Sequence, residues 1–348
     1  MEARIPILVA RTTQRDSGIE TPAAPEGFKP MPSGHNKKTL WTPAQTGLVA
    51  SNYVSAYQRA PAESKRLGKQ FYPNWNEDAQ HIGGVVGKSM AHGAAILAHL
   101  SPSNEAELNR MHALQLVHGM DDRAYRSMGK ASEAAGRAKS SEVKLRNAVK
   151  NEDFSAANVH QADYDRASAE NKYHRGKAKL TGTPLSSQGS TFIYKAMQVA
   201  HGVHDADPLG SLGNVKIGDF GRLIHDPKYE RAPIDTHYHD AGMNRTDIPY
   251  KAERGLSSVG RYESFQNAHQ IARGEVSSMI GRKISTADMM GGVWYAHQQR
   301  KVAENPDAMK ARKASDTKLG NIRASKGAQP FLPENFGLRP SLGKIKVS

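Results

Sequence analysis

Apolar positions set the first outline of the chain. From Met1 to about Lys69 no apolar period is sustained. The segment TPAAPEGFKPMPSGHNKKTLWTP is dense in Pro, Gly and Thr, so residues 1–69 read as an extended N-terminal arm with one short helix near Thr42–Arg59. The core is predicted over 70–302. It opens at Phe71-Tyr72-Pro73-Asn74-Trp75 and continues into a helix from about Glu77 to Leu100, where Ile82, Val85, Val86, Met90, Ala94 and Leu97 recur at helical spacing until Ser101-Pro102 stops them. A second helix starts near Asn104, which with Glu107 has the spacing of a capping box, and carries Leu108, Met111, Leu114 and Gln115 on one face.

The pattern changes over 121–188. Charges alternate, alanines are frequent and large apolar residues are few, which predicts a polar helical insertion, a pair of solvated helices placed to touch DNA or a partner protein. Periodicity returns at Ser190 with Ile193, Ala196, Met197 and Ala200, and Gly202 is placed as a C-terminal cap. The Gly-punctuated turn Pro208–Lys216 leads to a helix carrying Ile217, Phe220, Leu223 and Ile224, so that two helices and their turn are expected to make a hairpin. Further helices are predicted at about Arg261–Arg273 and Thr286–Val302, the latter with Ser285 and Asp288 at capping-box spacing. The fold class expected is therefore all-α.

Charge changes the picture next. The net charge is +14, and the tail over 303–348 alone has nine Lys/Arg against four Asp/Glu. Such an excess attracts polyanions, and DNA, held through its phosphate backbone, is the partner it points to, with partner proteins on the arm or the tails as a further expectation. A solubilising charge bias is the alternative. The absence of cysteine excludes disulfides and thiolate-held zinc or iron–sulfur centres. No apolar run approaches bilayer length and Met1–Ala10 is too short in its apolar part for a secretory signal, which predicts a cytoplasmic protein that meets no membrane.

Candidate chemistry concentrates between Gly213 and His237, in Gly213-Asn-Val-Lys216-Ile-Gly-Asp-Phe220 and Pro233-Ile-Asp235-Thr-His237. This stretch resembles the helix-hairpin-helix base-excision DNA glycosylases, in which a Gly-bearing hairpin leads to a helix and then to a segment like VDTHV. The resemblance is closest over Ser190–Asp240 and looser over Phe71–Val302. The chain as a whole also resembles uncharacterised glycosylase-like proteins of phages and actinobacteria. The resemblance implies a glycosylase core, no cofactor, Asp235 as the catalytic carboxylate, and Lys216, 19 residues earlier, in the position of a Schiff-base lysine. It also implies phosphate contacts from the backbone at Gly210, Gly213 and Asn214, with His237 facing DNA. The turn departs from the family pattern, its last glycine lying one residue farther from Lys216 than is usual.

The residue types suit that chemistry. Breaking an N-glycosidic bond builds positive charge on the sugar, which a fixed carboxylate stabilises, while a buried lysine of lowered pKa can attack the sugar carbon. Aromatic rings stack on a flipped base, for which Tyr72, Trp75 and Trp294, with Asn109 as a polar contact, are the candidates. Each has a structural alternative: Asp235 as a helix N-cap, Lys216 as a solvated or phosphate-contacting cation, the aromatics as core. Asp235-Thr-His237-Tyr-His239-Asp240 also has metal-ligand chemistry of the amidohydrolase type, but only 113 residues follow Asp235, too few for the rest of such a barrel. No metal is therefore expected. Two other functions remain open: a non-catalytic DNA-binding nucleoprotein component, and a phage enzyme of DNA base hypermodification.

Overall fold

The computed structural model describes residues 40–102, 106–179, 185, 188–246, 256, 258–307 and the positions 309, 310, 313, 317 and 321. Among the described residues the regular structure is helical: α1 (Pro43–Arg59), α2 (Ala62–Val85), α3 (Met90–Leu100), α4 (Ala106–Gly119), α5 (Asp122–Lys150), α6 (Phe154–Lys177), α7 (Ser190–Ala200), α8 (Val215–His225), α9 (Thr236–Gly242), α10 (Val259–Ile280) and α11 (Thr286–Glu304). The all-α class follows directly.

α3 is the centre. Every residue from His92 to Leu100 is buried, which fits a helix apolar all round, and α2, α4, α7 and α8 pack against it. α1 packs on α10, α11 lies along α2, and short α9 is held between α1 and α11. One continuous core joins these helices, with Trp75, Tyr53, Tyr72, Tyr238 and Phe265 as its largest fully buried side chains.

Three expectations are corrected. The short helix expected near Thr42–Arg59 is present as α1, started by a capping box between Thr42 and Gln45, but it belongs to the core rather than to an extended arm: Val49, Ala50, Tyr53 and Val54 are buried there, and residues 62–69 already begin α2. The helix expected over 77–100 is two helices, and Phe71–Trp75 lies inside the first of them rather than ahead of it. α2 continues through Pro73 because its exposed edge carries the proline while Leu67, Tyr72, Trp75 and Ala79 are buried on the other side. The chain then reverses at Gly87, whose φ of +65° lies in the left-handed region. Gly83 and Gly93 let α2 and α3 meet at backbone distance, a Cβ on Gly93 falling on the Ala79 carbonyl.

The third correction concerns the turn before Lys216. α7 and α8 are joined by residues 201–214, and both lean chiefly on α3 rather than on each other. The connection is tied to α3 by His99, whose Nε2 bonds Ser211 Oγ at 3.0 Å. Residues 122–177 are an αα-hairpin: α5 and α6 pack along one another, the root of α5 sits on α7, and the distal half has only a small cluster of Leu145, Ala148 and Ala157. The N-cap expected at Asn104 and residues 1–39 of the N-terminal segment lie outside the described residues, as does most of the tail beyond 310.

Candidate active site

The segment 226–235 leaves α8 and runs across α10, and its placement is fixed by polar contacts. Asp219, on the buried face of α8, is 2% exposed and accepts from Tyr229 Oη (2.8 Å), Tyr262 Oη (2.9 Å), Gln266 Nε2 (3.1 Å) and Arg231 Nε (3.2 Å). Arg231 makes a second, two-pronged pair with Glu263, at 2.6 and 3.1 Å. These two carboxylates raise the guanidinium's pKa, Glu263 foremost. On the same α10 face Gln266 Oε1 accepts from Ala232 N–H (3.0 Å), and the Tyr262 hydroxyl accepts from Ile234 N–H (3.2 Å). Burial, with Asp219 close by, raises the Tyr262 pKa and keeps its hydroxyl protonated.

Asp235 is the next residue and the N-cap of α9. Its Oδ1 accepts from Tyr238 N–H at 2.7 Å, and its Oδ2 accepts from the indole N–H of Trp294 on α11 at 2.8 Å. Both oxygens are thus oriented while the residue keeps some exposure. Beneath it lie buried tyrosines: burial first, and then the Asp235 charge, push the phenols of Tyr72 and Tyr238 well above their ordinary range. Tyr238 stacks on Tyr53 with ring centroids 4.3 Å apart and bonds His269 Nδ1 at 2.6 Å. Burial lowers the His269 pKa to about 3, so its imidazole is neutral.

From the Trp294 ring on the carboxylate a run of aromatic contacts leads through Phe71 and Trp75 to Phe220, with Trp294, Phe71 and Phe220 partly exposed. Phe71 lies 5.6 Å from Trp294, and Phe220 lies 5.5 Å from Trp75. His237 meets the Trp294 ring edge-on at 5.7 Å. Tyr72 and Trp75, both singled out from sequence as base-stacking rings, are each 1% exposed and form the floor, leaving no face open to a ligand. Asn109 is also 1% exposed and donates to Leu97 O at 2.9 Å, bracing α3. Phe71 and Phe220 were missed in these roles. The signal for Phe220 lay in its place four residues after Lys216, which puts both on one side of α8.

Lys216 is partly buried in the first turn of α8, and its ammonium makes no ion pair with a described residue. The backbone groups expected to meet phosphate are largely engaged within the chain. The Asn214 side chain caps α8, accepting from Lys216 N–H (3.0 Å) and Ile217 N–H (3.4 Å), and Gly210 N–H donates to Asp207 Oδ1 (2.8 Å). Gly213 is exposed, with its N–H on Ser211 O at 3.0 Å.

A second polar group lies behind α9. Asp240 is fully buried, with His239 Nδ1 at 2.9 Å and Lys301 Nζ at 3.2 Å on its two oxygens. Beside it His297 is 3% exposed, and burial lowers its pKa to about 3. Among the described residues no group of three His, Asp or Glu side chains is arranged to hold a metal, and no helix is long and apolar enough to cross a membrane.

Residues 35–166 match a family described as "Family of unknown function (DUF7178)". That match covers α1 to α5 and the first half of α6 and ends before Lys216 and Asp235. No curated protein and no solved structure matches the chain.

Proposed function

We propose that the protein is a DNA glycosylase-like enzyme that accepts a flipped base beside Asp235 and acts at its N-glycosidic bond. The observation that carries this reading is the Asp235 carboxylate itself: partly exposed, held on both oxygens by Tyr238 N–H and Trp294 Nε1, with the partly exposed Trp294 ring beside it and Phe71 against that ring. A fixed negative charge next to a stacking surface suits a reaction in which the sugar becomes cationic while the base is held by its faces. Asp235 would stabilise that cation or orient the attacking water. Lys216, one turn before Phe220 on α8, would be the nucleophile if the enzyme also cleaves the strand.

Duplexes carrying uracil, 8-oxoguanine, alkylated or hypermodified bases, incubated with the protein and then borohydride, test this. Base release abolished in Asp235→Asn is the expected result, and an adduct absent in Lys216→Ala would add lyase chemistry. Release that persists in Asp235→Asn sinks the assignment. The net charge of +14 favours a second reading, a DNA-binding component without catalysis, whose mark would be salt-dependent binding with no product on any duplex.

A further inference from the structure

The α5–α6 hairpin is longer than the core requires. Beyond Ala138 and Ala167 it buries only Leu145, Ala148 and Ala157, with the partly buried Ala156 against them, apart from the main core. Its charge is one-sided: α5 has eight Lys/Arg against three Asp/Glu, whereas α6 has four against three. Within α5 the buried positions Ala124, Met128, Ala131, Ala134 and Ala138 face inward. Arg123, Lys130, Arg137 and Lys144 recur every seven residues, with Arg126 between the first two, and all five are exposed.

Seven-residue spacing keeps side chains on one helix face with a drift of only ~20° per repeat. At ~1.5 Å per residue the row from Arg123 to Lys144 spans about 31 Å, close to the ~34 Å turn of a B-form duplex. Arg137 is paired with Glu170, and Glu142 takes Lys139 and Arg146. Arg123, Arg126, Lys130 and Lys144 make no ion pair with a described residue.

We propose that this exposed row on α5 is a docking surface for the phosphate backbone of duplex nucleic acid, gripping it without reading sequence. The choice of nucleic acid as the polyanion rests on the DNA-directed reading above; the surface itself does not depend on catalysis. The test uses the full chain and a labelled mixed-sequence duplex of about 30 base pairs, with affinity followed by anisotropy from ~50 to ~300 mM salt. In the variant R123Q/R126Q/K130Q/K144Q the slope of log affinity against log salt should fall by about 0.9 per cation lost, or close to 3.6. A charge-matched variant at exposed sites elsewhere, R59Q/K69Q/R282Q/K283Q, should keep most of the slope. Equal losses in the two variants, no loss in the first, or no duplex binding by the wild-type chain would each overturn the proposal. Since anisotropy reads binding alone, a failed base-release assay with this slope intact would count against the catalytic reading and leave the docking surface standing.

Discussion

At the scale of single residues, Asp219 decides whether the candidate site is built. It is the shared acceptor for Tyr229, Arg231, Tyr262 and Gln266, and the last two also hold the backbone at Ala232 and Ile234, just before Asp235. Asp219→Ala leaves Arg231 with Glu263 alone and leaves the buried Tyr262 and Gln266 donors to share the Ala232 carbonyl, so urea unfolding should show a loss of about 1–3 kcal/mol. A loss below ~1 kcal/mol would mean the network is ornamental to the fold. None of this was legible in the sequence. Asp219 sits in an apolar-periodic helix where its charge reads as a solvent-facing position, and its partners lie up to 47 residues away. Asp235 was legible, because a carboxylate ahead of a short helix can be recognised from neighbours alone. That it also holds Trp294, 59 residues on, was not.

Among the elements, helices with a clear apolar stripe were readable: α7, α8, α10 and α11 fall within a few residues of their predicted positions, α10 running farther at its C-terminal end. The break between α2 and α3 was not, because Ile82, Val85, Met90 and Ala94 keep helical phase across it by coincidence. The physical signal was glycine instead: Gly83 and Gly93 meet across the crossing and Gly87 makes the reversal. Gly93→Ala places a methyl group on the Ala79 carbonyl and should cost at least ~2 kcal/mol. Gly136→Ala, on an exposed turn of α5 with open space around its Cβ, should instead stabilise by about 0.5–1 kcal/mol. Thermal melts of the two variants check both, and similar shifts in the same direction would contradict the packing described for the α2–α3 crossing.

At the scale of the whole molecule, buried histidines set an acid limit. Burial lowers the pKa of His99 to about 4 and those of His269 and His297 to about 3. Folded values below the ordinary 6.5 mean that the unfolded chain takes up these protons first. The stability they confer is present above pH ~6.5 and is lost as pH falls toward the folded values, by up to about 1.4 kcal/mol per pH unit for each histidine. The Tm at about pH 5 should therefore lie ~10 °C below that at about pH 7.5, and a flat profile would contradict the neutral buried state.

The central claim is that the Asp235 carboxylate, and not merely its capping role, makes the site work. Asn caps a helix about as well as Asp, so Asp235→Asn retains the α9 cap through its one oxygen while removing the charge and the acceptor for Trp294 Nε1. The decisive measurement is base release from modified duplexes by wild-type and Asp235→Asn protein, with melting temperature and duplex affinity measured on the same samples. The expected result is release by the wild type, none by the variant, a melting temperature lower by only a few °C from the lost Trp294 bond, and unchanged affinity. Equal release by both proteins, or no release by the wild type from any duplex, would contradict it.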